Sequence, residues 1–467
     1  MTTSLGIDIG STTISFALID RDTGNELYSR TIPDDTRIQG RSYEVLYDAE
    51  KICEKVFNAL DEIIENDEFE SPSAIGVTGQ MHGILYVDKD GRAVSPLYSW
   101  MDKSGEEPLP QFGGVSAVDF IKQKTGAEMA TGWGFSTLFY HTASGTVPET
   151  AAFICTIPDY VAMRISGRKK PLIHSSNAAS LGLFDIIKYE FRADLLELTG
   201  LGTRLSPEIT DGTEIIGYYK NIPVSVAIGD NQASFIASVK KADNTLLLNI
   251  GTGSQISFLR TGYIDLKGTG MELRPLLGGK YIQVGSGLCG GRALAILESF
   301  FRKTAELVTG EKCSNAYKGI DRYLNSLQSC GSEIAFEHIL NVDTRFCGTR
   351  QDPSIKGSIS LIEADNFTPE ELIKGFMFGV IDELKAMYDN CSGGLPGQLS
   401  SVVATGGAIR KNRYLRGVIE RVFQCKVSVP VCDEAAAYGS AMFACVSSGL
   451  TGSLDEAAVN IKYDEGE

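Results

Sequence analysis

One short pattern occurs twice in this chain of 467 residues, and it limits the possible folds more than any other feature. The first copy is Gly6-Ile-Asp-Ile-Gly-Ser-Thr-Thr-Ile-Ser-Phe16. The second is Leu246-Leu-Leu-Asn-Ile-Gly-Thr-Gly-Ser-Gln-Ile-Ser-Phe258, which reads with one extra residue between its Ile-Gly and its Ile-Ser-Phe. Each predicts a strand, a turn of small residues and a second strand. Leu5, Ile7 and Ile9 alternate before Gly10-Ser11-Thr12-Thr13, and Ile14, Phe16 and Leu18 alternate after it. A repeat at this separation predicts two domains built on one plan. Chance likeness is the other reading, because short apolar–Gly–Thr patterns are common, and the pairing alone leaves both open. The length suits two domains. The polar stretch Lys240–Asn244 predicts their boundary, giving domains 1–241 and 242–467.

Strands and helices alternate on both sides of that boundary, which predicts an α/β fold. Ile52, Val56, Ala59, Leu60 and Ile63 fall at helical spacing within 45–66. Ser73–Thr78 reads as a strand running into Gly79-Gln80-Met81-His82-Gly83, and 84–87 as another. Val402–Thr405 runs into Gly406-Gly407, followed by a helix with Leu415, Val418, Ile419, Val422 and Phe423 on one face.

The formal net charge is −16, which repels nucleic acid and anionic membranes, so neither is expected as a partner. It also repels a nucleotide at long range, so a nucleotide site here needs local backbone donors and a divalent cation. The ten cysteines form no CxxC pair and only four histidines occur, which argues against a disulfide framework and a zinc cluster. The first residues lack a basic stretch followed by an apolar core, and no apolar run is long enough to span a bilayer. The expectation is a soluble, cytoplasmic protein. The oligomeric state is open, with a homodimer among the expectations.

Several segments fit phosphate and sugar chemistry. Gly10-Ser11-Thr12-Thr13 offers backbone N–H groups and hydroxyls to an anion, and Asp8 just before it is placed to hold Mg²⁺ through water. Gly251-Thr252-Gly253-Ser254 offers the same donors, with Asn249 where the first copy has Asp8. Each also reads as an ordinary hairpin turn. Gly406-Gly407 leaves room for a flat base or ribose against the backbone, or makes a plain tight connection. Asp230 follows the apolar strand 224–228, at the end of a strand where α/β active sites lie. It reads as a general base or as a helix cap. Gln80, His82, Trp100 and Asp102 supply the polar groups and the apolar face that a polyol needs. No GxxxxGK[ST] occurs, so the chain is not a P-loop protein.

Taken in order, these segments resemble the FGGY carbohydrate kinases, a branch of the actin, Hsp70 and hexokinase superfamily. The resemblance runs from Gly6 to about Ala444. Asp8–Thr13 is similar to the first phosphate motif, Asn249–Ser254 to the second and Thr405–Asn412 to the adenosine motif. Asp433-Glu-Ala-Ala-Ala-Tyr-Gly-Ser-Ala-Met442 is similar to a small-residue helix expected to close the second domain. Ile157–Gly167, followed by Ser176–Ser180, resembles the first-domain signature. Thr78-Gly-Gln-Met-His-Gly83 is similar to the run found in xylulokinases and sedoheptulokinases. Phe346-Cys-Gly-Thr-Arg-Gln-Asp-Pro353 and the overall length look closer to the sedoheptulokinases.

The resemblance implies two actin-like (ribonuclease H-like) domains with an ATP cleft between them, and ATP-dependent phosphorylation of a ketose. Sedoheptulose is the first choice, and xylulose or another polyol the alternative. An ATP-binding actin-like sensor without sugar chemistry is a further reading. By resemblance Asp230 is the catalytic base and Asp8 the Mg²⁺ residue. The sugar is expected against Gln80, Met81, His82, Trp100, Asp102 and Asn231. ATP is expected against Ser11, Thr12, Thr13, Gly251, Thr252, Gly291, Gly406, Gly407, Lys411 and Asn412, with the adenosine contact shared ambiguously by Lys411 and Asn412. Family members often read Trp-x-Asp-x-Arg, where this chain has Trp100-Met-Asp-Lys-Ser104. The Arg is absent and Lys103 is displaced by one position. Asn177 stands where many members carry Asp.

Overall fold

The protein is described by a computed structural model covering residues 2–329, 340–350, 352–391 and 399–464. Gln351, in the run 346–353, lies outside the described residues. The chain divides into two compact units. The first is Met1–Lys240 with Arg274–Lys280 and Cys432–Lys462, and the second is Lys241–Leu273 with Tyr281–Val431 and Tyr463–Glu467.

In the first unit, β1 (Thr3–Ile9) and β2 (Thr13–Asp20) form the hairpin read from the sequence, and β3 (Glu26–Pro33) extends it antiparallel. Apart from the half-buried Asp8 and the exposed Thr13, β1 and β2 are buried along their length, as the near-continuous apolar run requires. On the other side of β1 lies β4 (Ile75–Gly79), parallel to it. The antiparallel pair β5 (Ile215–Tyr219) and β6 (Ile222–Ser225) follows, and β7 (Ile228–Gly229) also pairs parallel with β4. Helix α1 (Ala49–Ile64) starts where the Asp48 carboxylate accepts the Lys51 N–H at 3.2 Å, and it buries the predicted stripe Ile52, Val56, Ala59, Leu60 and Ile63.

The sheet of the second unit repeats this plan. Its strands are β8 (Thr245–Ile250), β9 (Ser254–Arg260), β10 (Met271–Pro275), β11 (Tyr281–Gly287), β12 (Ser401–Thr405), β13 (Val427–Pro430) and β14 (Tyr463–Asp464). The order 11-9-8-12-13 matches the order 3-2-1-4-6 of the first sheet. In both, antiparallel pairs lie on one side of the central strand and parallel pairs on the other. The duplication read from the short repeat is therefore real. Helix α2 (Asp230–Ser238) belongs to the first unit. Helices α3 (Gly291–Thr309), α4 (Pro369–Asp389) and α5 (Arg413–Phe423) belong to the second, where Val418, Ile419, Phe376 and Ile381 join Leu246, Leu248 and Ile256 in one core.

Two expectations need correction. The second turn is one residue tighter than the first, not longer. Ile9 faces Ile14 across Gly10–Thr13, whereas Ile250 faces Ser254 across Gly251–Gly253. The place of Phe16, opposite Ile7, is taken by Ile256 opposite Leu248, and Phe258 lies two residues further on. A two-residue shift keeps a strand's side chains on the same face, so both phenylalanines stay buried and the sequence match conceals the slip. The second correction concerns the helix Ala435–Ser447. It belongs to the first unit and packs on β1, β2, β4 and α2, with the Ser4 hydroxyl donating to the Ala441 carbonyl at 2.9 Å. Its Ala, Gly and Ser residues give the short side chains that so close a fit demands. The expected division at 241/242 therefore omits two returning segments. Among the described residues no helix is long and apolar enough to cross a membrane.

Candidate active site

Three parallel strands of the first unit end in step. Ile9 of β1 and Gly229 of β7 both lie opposite Gly79 of β4. Their exits are Gly10-Ser11-Thr12, Gln80-Met81-His82 and Asp230, so three segments distant in sequence leave one sheet edge together. The ends of parallel strands are where α/β proteins gather reactive groups. The Gln80 N–H donates to the Ile9 carbonyl at 2.8 Å, and the Thr78 hydroxyl to the Ile228 carbonyl at 2.8 Å.

Asp230 does not cap its helix. Gly229 takes that position, and Asp230 is the first helical residue. Burial raises its carboxyl above the ordinary range, while Arg274 and the Asn231 backbone N–H pull it down. Asp8, half-buried at the end of β1, is pushed up to about 7 by burial and then by the negative charges of Asp230 and Glu434. A carboxyl group raised by neighbouring negative charge favours a proton or a cation. Among the described residues no group of three or more His, Cys, Asp and Glu side chains is gathered to hold a metal ion. Glu434 acts on Asp8 through space.

Gln80 is 4% exposed, and neither its Oε1 nor its Nε2 has a hydrogen-bond partner in the protein. A buried carboxamide left unpaired costs about 1–3 kcal/mol unless something else satisfies it. Its neighbour Met81 is buried against Gly229, where a Cβ would lie 2.8 Å from the Met81 sulfur. His82 has φ of 74°, an uncommon conformation for a residue with a side chain. It is held by its N–H donating to the Ser180 hydroxyl at 3.0 Å and by its ring Nδ1, 2.8 Å from the Ser180 carbonyl. A carbonyl only accepts, so Nδ1 carries a proton. The ring stacks on Trp133, with centroids 5.7 Å apart and planes within 4°. Trp100 is 48% exposed and its Nε1 donates to the Ser11 hydroxyl at 2.9 Å, tying the aromatic loop to the first turn.

Asp102 departs from the sugar contact expected of it. It is fully buried, and its carboxylate accepts from the Val45 and Ser104 N–H groups and from the Ser104 hydroxyl. It organises the loop that displays Trp100. Lys103 beside it is exposed. Asn231 is half-buried in the first turn of α2. Asn177 donates to the buried Asp159 at 3.2 Å, which a carboxylate at 177 could not do.

The second unit differs at the corresponding edge, where the Glu383 carboxylate of α4 lies beside Gly287, opposite Ser254, and is pushed up to about 7 by burial. Asn249 takes the place of Asp8 and lies opposite Thr405, as Asp8 lies opposite Thr78. Gly251 and Thr252 are exposed. The N–H groups of Gly291 and Arg292, at the start of α3, donate to the carbonyls of Gly251 and Thr252 at 2.7 and 3.0 Å. These bonds turn the carbonyls inward onto the helix end. Gly406 has φ of 102°, and a Cβ there would lie 2.4 Å from the Ile250 carbonyl oxygen. Gly407 and Lys411 are exposed, and Asn412 is half-buried. The Asn412 side-chain oxygen accepts the Leu415 N–H at 3.1 Å and caps α5.

Sequence reasoning missed Trp133, Arg274, Ser180 and Glu434. Trp133 is one of only two tryptophans, which was a usable signal. Glu434 lay inside a quoted motif, and Arg274 had no sequence signal.

Comparison with known proteins covers nearly all of this chain. Residues 3–237 match the model of the FGGY family of carbohydrate kinases, N-terminal domain, and residues 290–448 match its C-terminal domain. The sedoheptulokinase of Mus musculus is 24% identical over 94% of this chain and 96% of its own length. A glycerol kinase of Saccharolobus islandicus is 24% identical over 90% and 83%. A xylulose kinase structure from Lactobacillus acidophilus superposes with a TM-score of 0.79 at 18% identity, covering 100% of this chain and 93% of that one.

Proposed function

Because this chain belongs to the FGGY family of carbohydrate kinases and is therefore an enzyme that uses ATP to phosphorylate a sugar or polyol, we propose that its substrate is a ketose, phosphorylated at the terminal hydroxyl. Sedoheptulose, giving the 7-phosphate, is the first choice. The observation that carries the reading is Gln80: a buried carboxamide without a protein partner, next to the strand ends that bear Asp8 and Asp230. A polyhydroxylated substrate offers the donors and acceptors this amide lacks.

In this reading Asp230 accepts the proton of the attacking hydroxyl as it meets the γ-phosphorus. Gln80, His82, Trp100 and Asn231 orient the sugar, with Trp133 fixing the His82 ring and Asp102 fixing the Trp100 loop. Met81 shapes the floor beside Gly229. Ser11, Thr12 and Thr13 donate to phosphate in the first unit, and Gly251 and Thr252 in the second. Gly291, Gly406, Gly407 and Lys411 serve the adenosine end, and Asn412 shapes it by starting α5. Mg²⁺, when bound, offsets phosphate charge, and Asp8 would hold it through water.

A second reading is a xylulokinase. It draws support from the xylulose kinase named among the similar structures and from the Gln80-Met81-His82 run. The test is ADP release measured over sedoheptulose, xylulose, ribulose, fructose and glycerol. Highest kcat/KM on sedoheptulose is expected. A preference for glycerol would sink the ketose assignment, and ATP turnover unaffected by every sugar would sink the choice of a sugar acceptor in this panel.

A further inference from the structure

A cavity of about 300 Å³ lies in the first unit, and none of its lining residues belongs to the site described above. Its walls are aliphatic: Leu138 and Leu205 are buried, and Val147 and Leu201 are half-buried. Its polar side chains are His141, Thr142 and Arg204, and among the described residues no carboxylate lines it. The Thr142 hydroxyl is spent within the helix Gly134–Ser144, where it donates to the Leu138 carbonyl at 2.8 Å. His141 and Arg204 remain.

His141 belongs to the same helix and is 3% exposed. Burial first, then the positive charge of Arg41, pushes its pKa down to about 4, so the ring is neutral near pH 7. Its Nδ1 lies 2.9 Å from the Tyr86 hydroxyl, and Tyr86 is fully buried. That hydroxyl makes no other hydrogen bond among the described residues. A buried hydroxyl needs an acceptor for its hydrogen, and Nδ1 is the acceptor it meets. Tyr86 therefore donates, and the neutral ring carries its own proton on Nε2. This second N–H points away from Tyr86 and has no partner among the described residues.

Arg204 is exposed and lies in the loop after the helix Ala193–Thr199. The Leu205 carbonyl accepts the Ile154 N–H at 2.9 Å, which fixes that loop on the strand Phe153–Cys155. The Arg204 Nη1 donates to the Ala151 carbonyl at 3.4 Å, and the guanidinium has no ion pair among the described residues. An unpaired guanidinium is unexpected in a chain whose net charge is −16. The cavity thus presents two sets of free donors, one of them cationic, above an apolar lining.

We propose that this cavity binds a small organic carboxylate. The charged end takes the Arg204 guanidinium and the His141 Nε2–H, and a short hydrocarbon body lies against Leu138, Val147, Leu201 and Leu205. Inorganic phosphate would match the donors but would leave the aliphatic walls without a partner. His141 stands about two helical turns from Trp133, which precedes the helix and stacks on His82. The ligand is therefore bound apart from the place proposed for the sugar, and the inference does not rest on which sugar that is.

The test is calorimetric titration of the full-length protein with hexanoate and with benzoate, each compared with its amide. One molecule of acid per chain is expected, with the amide about tenfold weaker or worse. Arg204→Gln should weaken the acid about tenfold and leave the melting temperature unchanged, because the side chain is exposed. Leu201→Trp fills the cavity and should abolish the binding heat. Saturating sedoheptulose or xylulose should leave the affinity for the acid unchanged. No binding of either acid at millimolar concentration, or equal affinity in Arg204→Gln, would overturn the site. Tighter binding of inorganic phosphate than of either acid would overturn the carboxylate assignment. Displacement of the acid by a sugar would place it in the sugar site and overturn the cavity.

Discussion

The two sheets share a plan and a register but not a chemistry. At the end of the central strand the first carries Asp8 and the second Asn249. At the end of the neighbouring parallel strand both carry a threonine followed by glycine, Thr78-Gly79 and Thr405-Gly406. In both, a Cβ on that glycine would strike the carbonyl of the adjacent strand, Ile9 or Ile250. The frame is thus held in duplicate, while the ionisable group at the end of the central strand is kept on one copy. Asp230 begins the helix after a parallel strand of its sheet, whereas the carboxylate near the second turn, Glu383, comes from α4 and lies beside Gly287 of an antiparallel strand. The comparison teaches that a duplicated fold can keep its strand pairing while changing the residue at the end of the central strand from a carboxylate to an amide.

The largest test of this asymmetry is Asp230→Ala. A loss of about a hundred- to thousandfold in kcat is expected, the range of a general base, with a much smaller change in the KM for ATP. Adding Asn249→Asp to that variant should restore nothing, because the second edge lacks the rest of the site. A steady-state rate close to wild type in Asp230→Ala would end the asymmetric reading.

Next comes Asp8→Asn, with kcat expected to fall about tenfold or more at fixed Mg²⁺ through weaker charge neutralisation. This variant also has a stability signature. The folded pKa of Asp8 is raised from the ordinary 3.8 to about 7. The folded state therefore holds more protons than the unfolded state between those values, and stability falls as pH rises through that window. Removing the charge should raise the melting temperature at pH 8 and have progressively less effect toward pH 4. By the same sign, wild-type activity should decline as pH falls below about 7. Equal melting shifts at both ends of the window would show that Asp8 is not perturbed.

A third test compares the matching glycines. Gly406→Ala faces both a carbonyl clash and a φ of 102°, and should cost about 1–3 kcal/mol in denaturant unfolding. Gly79→Ala faces the clash alone and should cost less. The reverse order would mean that the two strand ends are not built alike. Smallest in expected effect is Gln80→Leu. Loss of its amide should raise the KM for sugar about tenfold, equivalent to about 1.4 kcal/mol of hydrogen bonding, with the melting temperature unchanged or higher. A fall in melting temperature without a change in KM would assign the amide to the fold.

Much of this was legible in the sequence, and the failures have local causes. Alternating Leu5, Ile7 and Ile9 announced β1, and the spacing of Ile52, Val56 and Ile63 announced α1, because both segments bury one repeating pattern. The turn slip escaped because strand periodicity is blind to a shift of two. Asp102 was read as a sugar contact because it is a polar group in a Trp-x-Asp run like that of the family. Its burial depends on Val45 and Ser104, which only the folded loop brings to it. Trp133, Ser180 and Arg274 reach the site through tertiary contacts. Local pattern holds no record of such meetings.

The return of Ala435–Ser447 to the first unit also bears on how the molecule is made. A ribosome delivers the N-terminal end first, so the hydrophobic face of β1, β2 and β4 waits for its cover until Ser447 has emerged. Nascent chains would then be exposed to chaperones and proteases throughout that interval. Any fragment that stops before residue 432 would keep the residues that carry Asp8 and Asp230 but leave their supporting sheet uncovered.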